Sequence, residues 1–110
     1  MAREKFQTLT EQMFYVLLVL QEECYGADIM EKVGFITNDR VKIGAGTLYS
    51  LLESFLSVKM IEETKVEGRK RCYKITEIGK TTMQKEANRL EILSGHFAKY
   101  WKGGETYEKH

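Results

Sequence analysis

A cluster of cations in one short segment is the feature of this sequence with the clearest chemistry. Between positions 65 and 74, five basic residues stand against one acid, Glu67, so this ten-residue segment carries +4. The whole chain carries only +1, which leaves −3 on the remainder. Lysine and arginine side chains grouped in this way bind phosphates and release their counterions. The uneven charge therefore indicates a surface for an anionic polymer, although a basic turn can also be no more than a solvated surface.

The motifs of the common enzyme classes are absent from the sequence. There is no G-x-S-x-G, no phosphate-binding glycine loop and no H-E-x-x-H. Cys24 and Cys72 lie 48 positions apart without a CxxC pair, so we expect two reduced thiols and neither a disulfide nor a metal site. His96 and His110 have no partner at ligand spacing. We therefore expect a protein that is not an enzyme and that uses no cofactor or metal.

The length of 110 residues is that of one compact domain. The longest apolar run, 13–20, has eight residues, far fewer than the roughly twenty that span a bilayer. The N-terminus also lacks the apolar core and the cleavage site of a signal peptide. These features predict a soluble, cytoplasmic protein that makes no use of a membrane.

Apolar periodicity predicts two helices in the first part of the chain. The first begins at a capping box opened by Thr8 and runs to about Glu23. Its apolar residues cover every face, so it needs burial on two sides, which indicates a second chain or a long partner helix. The second helix has a one-sided apolar stripe from Ala27 to Val33 and is ended by Gly34.

A third helix and a hairpin follow. Thr47 is the expected N-cap of the third helix, which runs to about Lys59. Apolar residues then recur at alternate positions, which predicts strands over 60–66 and 71–75 joined by a basic turn at 67–70. Small polar or acidic side chains lie on the outer face of the third helix: Thr47, Ser50, Glu53, Ser54 and Ser57.

The last predicted helix starts at a Thr76 N-cap and has about 26 residues, or roughly 39 Å. Its apolar residues recur at alternating spacings of four and three, interrupted only by Ser94, which is typical of helices that pair with each other. A helix this long cannot pack wholly on the preceding residues, so it predicts a homodimer. We assign dimerisation to Met83, Ala87, Leu90, Phe97 and Trp101.

Three helices followed by a hairpin with a basic tip form the pattern of a winged helix-turn-helix. The predicted fold class is therefore mainly α with a small β-hairpin, plus one long C-terminal dimerisation helix. In a winged helix the third helix enters the major groove of DNA and the hairpin, or wing, reaches the phosphates. Because a homodimer has two-fold symmetry, we expect it to bind double-stranded DNA at an imperfect palindrome.

Four short motifs follow one another along the chain: Leu9-Thr10-Glu11, Tyr25-Gly26, Gly44-x-Gly46-Thr47-Leu48-Tyr49 and Arg71-x-Tyr73-x-Ile75-Thr76-Glu77-x-Gly79. In this order and at these separations they closely resemble the PadR family of bacterial transcriptional regulators, over about residues 6–101. The resemblance implies a winged-helix DNA-binding domain over 1–75 and one dimerisation helix over 76–102, as in the shorter members. We expect 103–110 to be a flexible tail. The resemblance also implies a repressor of nearby genes that is released by a small molecule.

By position, the resemblance assigns DNA contacts around the third helix and at the wing: Tyr25, Lys42, Gly46, Thr47, Tyr49, Ser50, Arg69, Lys70 and Arg71. Three residues depart from the family pattern. Members commonly carry a basic residue at the position of Ser54, a glycine at that of Lys59 and a proline at that of Ala45. The missing cation, with Glu53 beside it, predicts DNA binding that is weak or unusually sensitive to salt.

Several residues have a structural alternative to these roles. Tyr49 lies between two rows of leucines and could be a core aromatic, and Thr47 could be only a helix cap. An apolar or aromatic effector is expected where the last helices meet the first ones, at Phe14, Tyr15, Phe97, Tyr100 and Trp101. For Phe97, Tyr100 and Trp101 the helical spacing by itself favours dimer packing over a ligand site, because aromatics at this spacing usually fill cores.

Two alternatives concern the protein as a whole. A winged helix can also be a protein-protein interaction module without sequence-specific DNA binding, and the acid on the outer face of the third helix favours that alternative. Regulation could also come from oxidation of a thiol such as Cys24 instead of from a ligand.

Overall fold

The computed structural model describes residues 8–103, so the expected tail, with His110, lies outside the described residues except for Gly103. The strands form one antiparallel sheet in the order β1-β3-β2. The predicted fold class, mainly α with a small β-hairpin, is confirmed. In chain order the elements are α1 (Glu11–Val19), β1 (Cys24–Tyr25), α2 (Gly26–Thr37), α3 (Ala45–Ser57), β2 (Ile61–Glu67), β3 (Lys70–Ile75) and α4 (Glu77–Tyr100).

Helix α1 is shorter at both ends than predicted. The N-cap is Thr10 and not Thr8: the Thr10 hydroxyl accepts the N–H of Met13 at 3.1 Å, and the Met13 sulfur accepts the N–H of Thr10 at 3.4 Å. A methionine thus stands where a capping box usually has Glu or Gln. At the other end, the carbonyl of Leu20 accepts the N–H of Ile75 at 2.7 Å, so the chain leaves the helix to join the sheet.

The prediction that the second helix ends at Gly34 is wrong. Helix α2 runs on to Thr37 and ends where Asn38 adopts a left-handed backbone with φ of 58°. The carbonyl of Gly34 then accepts the N–H of Asp39 at 2.7 Å. Asparagine is, after glycine, the residue that most readily takes this conformation, so the stop signal is Asn38.

The prediction of Thr47 as the N-cap of the third helix is also wrong. Gly44 occupies that position, in extended conformation, and Thr47 is the third helical residue with an exposed side chain. Ala45 is therefore the first helical residue, a position that suits proline because its fixed φ matches a helix and the missing N–H is not needed there. This position accounts for the proline in the family pattern.

The hairpin is close to the prediction, but a third strand was not foreseen. Strand β1 has only two residues and pairs with β3, with Cys24 opposite Tyr73 and Tyr25 opposite Cys72. Strands β2 and β3 pair through an irregularity between Glu63 and Lys65. β1 ends at the start of α2, so it attaches the beginning of that helix to the wing.

The core lies between the first three helices and the sheet, and α4 leaves it. Helix α4 has 24 residues, about 36 Å at 1.5 Å per residue, and in its second half the large apolar side chains are 43–66% exposed. Within residues 8–103, no helix is long and apolar enough to cross a membrane. The largest fully buried side chains are Phe55, Leu17, Leu20, Ile29, Leu48, Leu52, Ile61, Val16 and Val33.

A junction joins the end of α3 to the start of α4. The Thr76 hydroxyl donates to the carbonyl of Lys59 at 2.6 Å, and the Thr76 N–H donates to the carbonyl of Met60 at 3.0 Å. The same hydroxyl accepts the N–H of Gly79 at 3.2 Å, which confirms Thr76 as the N-cap of α4. A Cβ on Gly79 would lie 2.2 Å from the Met60 carbonyl oxygen. Only glycine at position 79 therefore allows this approach.

A buried carboxylate holds α4 against the segment before α1. Glu86, 3% exposed, receives two hydrogen bonds from Arg89, at 2.9 and 2.6 Å, and one from the N–H of Leu9 at 3.2 Å. The hydrogen bonds from Arg89 lower the pKa of Glu86. The contact therefore contributes stability at neutral pH and loses it only as the pH falls through this lowered pKa.

Lys59 provides a stability test of the junction. Its backbone has a left-handed φ of 64°, which is strained for a residue with a Cβ and favourable for glycine, the residue in the family pattern. We expect Lys59→Gly to raise the free energy of unfolding by about 1 kcal/mol, measured by thermal or urea unfolding at matched protein concentration. Lys59→Ala keeps the Cβ and is the control. A glycine variant no more stable than the alanine variant would show that the backbone of Lys59 is not strained.

Candidate nucleic-acid interface

Two clefts lie where the wing meets the helices, and most of the predicted contact residues line them. The first, of about 410 Å³, is lined in part by Tyr25, Tyr49 and Arg69–Arg71. The second, of about 550 Å³, lies between α3 and the hairpin and includes Gly46, Tyr49, Ser50 and Arg71. Two predicted contacts, Lys42 and Thr47, line neither cleft. We call the first the wing cleft and the second the helix-wing groove.

Tyr25 connects the start of α2 to the tip of the wing. Its hydroxyl donates a hydrogen bond to Glu67, and the ammonium of Lys70 lies 5.7 Å from the centroid of its ring. The hydrogen bond to Glu67 raises the pKa of Tyr25 to about 12. The tyrosine is therefore a protonated donor at neutral pH, and the wing tip is held against it.

Tyr49 is not a core aromatic, because its side chain is 49% exposed and lines both clefts. It comes close to Gly26: a Cβ on Gly26 would lie 3.3 Å from the ring of Tyr73 and 3.4 Å from the ring and hydroxyl of Tyr49. A side chain at position 26 would crowd both tyrosines. The Tyr25-Gly26 motif thus has two roles. Tyr25 provides a polar aromatic side chain, and Gly26 leaves the space that the rings of Tyr49 and Tyr73 occupy.

The beginning of α3 is open on the same side of the molecule. Gly46, Thr47 and Ser50 are exposed, and no described atom apart from its chain neighbours and the backbone of α3 lies within 4 Å of a Cβ built on Gly46. Lys42 lies in the preceding loop, where its carbonyl accepts a hydrogen bond from Gln12 at 3.3 Å. These small residues leave the first turn of α3 accessible to a large ligand, with free backbone N–H groups that favour an anion.

The wing contains acids as well as cations. A guanidinium nitrogen of Arg71 lies 2.8 Å from a Glu63 carboxylate oxygen, and Lys65 lies 3.9 Å from Glu67. Among the described residues, Arg69 has no ion pair. Glu63 was not identified from the sequence as a residue of this surface, because Glu63 lies outside the basic segment. Strand alternation could not have found it, because only the irregularity between Glu63 and Lys65 brings Glu63 opposite Tyr73, on the sheet face of Arg71.

Both cysteines are buried in the sheet. Burial raises the pKa of the Cys24 thiol and of the Cys72 thiol, which disfavours the reactive thiolate. Cys24 pairs with Tyr73, the neighbour of Cys72, so side-chain alternation sends the two thiols to opposite faces of the sheet. This arrangement disfavours an oxidation switch at Cys24.

The residues assigned to an effector fall into two separate groups within one chain. Phe14 contacts Tyr15 edge to face at 5.6 Å and lines a groove with Met83 and Ala87. Phe97, about 15 Å further along α4 than Ala87 at 1.5 Å per residue, stacks on Trp101 at 5.4 Å. Tyr100 lies beside this pair. A single site formed by all five aromatics would therefore need a second chain.

Comparison with known proteins places the chain among transcriptional regulators. The model of the transcriptional regulator PadR-like family matches residues 16–85, and no curated protein matches. A transcriptional regulator from Clostridium thermocellum is similar at 20% identity and a TM-score of 0.71, over 86% of this chain and 100% of that one. A PadR family regulator from Clostridium difficile R20291 is 15% identical, with a TM-score of 0.65 over 82% and 98% of the two chains. H. salinarum RosR is 20% identical, with a TM-score of 0.60 over 92% and 86%.

Proposed function

The chain belongs to the PadR-like family of transcriptional regulators, and we propose that it is a repressor that binds a palindromic operator as a homodimer and leaves it when a small molecule binds. In this proposal residues 1–75 bind DNA and residues 76–102 form the dimer, with the protein acting in the cytoplasm. Major-groove readout belongs to α3 and phosphate contact to the wing.

One observation carries the DNA-binding part of this proposal. The exposed first turn of α3, the half-exposed Tyr49 and the wing cations Arg69 and Lys70 border two adjoining clefts. Small hydroxyl and glycine residues allow a groove edge to come close, whereas the cations provide the charge that binds flanking phosphates. The proposal therefore assigns base contacts to Gly46, Thr47, Tyr49 and Ser50, and phosphate contacts to Tyr25, Lys42, Arg69, Lys70 and Arg71.

The exposed half of α4 supports the homodimer. Leu90, Phe97 and Trp101, at heptad-like spacing, are 43%, 60% and 53% exposed. Side chains of this size in a row are expensive to leave in water, and a second copy of the same helix would cover them. The proposed seam is Met83, Ala87, Leu90, Phe97 and Trp101.

The proposed effector is apolar or aromatic and binds where two α4 helices meet the α1 helices. In a dimer, the aromatic pair Phe97–Trp101 of one chain would come to the Phe14–Tyr15 pair of the other, which the single chain keeps apart. An effector acts only if it binds the state that has left DNA more tightly than the bound state.

A second candidate is a winged-helix module that binds another protein. The observation in its favour is the helix-wing groove, whose charged lining among residues 8–103 is Glu53, Glu63 and one cation, Arg71. A mixed-charge groove suits a polypeptide better than it suits a row of phosphates.

Salt dependence separates the two candidates. Arg69→Ala removes an unpaired wing cation, so we expect weaker binding to all duplexes and a decrease of about one in the slope of log affinity against log salt. Lys85→Ala is the control: it removes an exposed cation of α4 outside both clefts and should leave the slope unchanged. Ser50→Ala should instead change the preference among DNA sequences. Fluorescence anisotropy over a salt series measures all three. Affinity independent of salt, or equal for an acidic polypeptide, would favour the protein-binding module.

The seam of α4 predicts which substitutions dissociate the dimer. Leu90→Glu places a charge in the proposed interface, so the dimer dissociation constant should rise by about tenfold or more in sedimentation equilibrium. Ile92→Glu is the matched control, because residue 92 is exposed but points away from the seam. A native chain that remains monomeric at micromolar concentration would refute the homodimer.

Trp101 reports on the effector site. A planar aromatic compound bound beside the indole should quench its fluorescence and weaken operator binding over the same concentration range. Phe14→Ala should reduce both effects, because it removes the other aromatic pair. If an aromatic compound library leaves emission and operator affinity unchanged while peroxide releases DNA, and Cys24→Ser abolishes that release, thiol oxidation replaces the ligand mechanism.

A further inference from the structure

The ion pair between Glu63 and Arg71 lies inside the proposed DNA-binding surface. Glu63 stands opposite Tyr73 on the adjacent strand, so it shares the sheet face that Tyr73 and Arg71 present to α3. The carboxylate oxygen and the guanidinium nitrogen are 2.8 Å apart, a charge-assisted hydrogen bond of normal length. Arg71 is the wing cation that lines the helix-wing groove beside α3. It thus already has an anionic partner.

Within the described part of the chain, no other cation lines the groove around this pair. Its charged lining residues are Glu53 on α3, Glu63 on β2 and Arg71 on β3. A phosphate entering the groove would meet two carboxylates and one guanidinium. The pair therefore reduces the attraction that Arg71 would otherwise exert on a duplex.

The pair is arranged so that it can open. The Arg71 side chain is 53% exposed and the Glu63 side chain 33%, so the guanidinium is reachable from solvent while the carboxylate lies deeper. Ion pairs this exposed are weak. A guanidinium binds carboxylate and phosphate with the same planar arrangement of N–H donors, so a phosphate can replace the carboxylate of Glu63 on Arg71.

We propose that Glu63 sets the DNA affinity of the wing by acting as an internal competitor of phosphate for Arg71. In the free protein the carboxylate occupies the guanidinium, and the duplex must displace it to gain that contact. This inference rests on the proposed function and adds to it a residue that limits affinity. It gives Glu63 a role opposite to that of the nearby cations, since removing its charge strengthens binding.

The test is a double-substitution cycle on the full chain, with a random-sequence duplex and anisotropy measured over a salt series. Glu63→Gln should tighten binding by about three- to tenfold near 0.1 M salt and increase the salt slope by about one, because Arg71 is then free to neutralise one more phosphate and to release the counterion condensed on it. Glu62→Gln is the matched control: it removes the same charge from the next residue, which makes no ion pair among the described residues. It should change affinity by less than about twofold.

The cycle distinguishes competition for Arg71 from general repulsion. In an Arg71→Gln background the gain from Glu63→Gln should largely disappear, because there is no guanidinium to release. An equal gain in both backgrounds, or from Glu62→Gln, would overturn the inference, as would weaker binding by Glu63→Gln, which would make Glu63 a residue that positions Arg71. If the native chain and every variant bind duplex no better than an acidic polypeptide, the proposed function itself fails. Equal melting temperatures of the variants confirm that the fold is intact.

Discussion

The approach of Gly79 to the carbonyl of Met60 is the constraint on which the arrangement of the molecule depends. Thr76 hydrogen-bonds to the same turn through both its hydroxyl and its N–H, and there is no room for a Cβ on Gly79. The direction of α4 is therefore fixed relative to the end of α3. In the proposed dimer, α4 of each chain sets the separation of the two α3 helices, so this contact between backbone atoms determines the half-site spacing that the pair can read.

The wing combines cations with carboxylates that restrain it. Its cations lie in a sheet whose other strand carries carboxylates, and Tyr25 ties the tip to the start of α2 through Glu67. A free hairpin of this length would be only marginally stable, whereas β1 and the hydrogen bond from Tyr25 fix its position against α2. The rigidity has an electrostatic consequence, since acids that order the wing also neutralise part of its charge.

Sequence reasoning predicted the elements with strong periodicity. It failed where a single residue or a single pairing decided where an element begins or ends. The hairpin, the Thr76 cap and the long last helix were visible because apolar spacing and a capping residue agreed. The start of α1 was misplaced because a methionine sulfur completes the cap at Thr10, and Gly34 did not end α2 because Asn38 does. Strand β1 is two residues long and exists only through pairing with β3. The Glu63–Arg71 pair depends on register, which charge counting along the chain cannot detect.

Burial of both thiols makes the protein suitable for site-specific labelling. Cys24 and Cys72 are 5% and 3% exposed, and their raised pKa values slow reaction with maleimides at neutral pH. A cysteine introduced at an exposed position, such as Lys85 on α4, would then be the fastest-reacting thiol among residues 8–103 without removal of the native pair. Fluorophores or spin labels attached there would report distances between the chains of a dimer and their change when DNA or an effector binds.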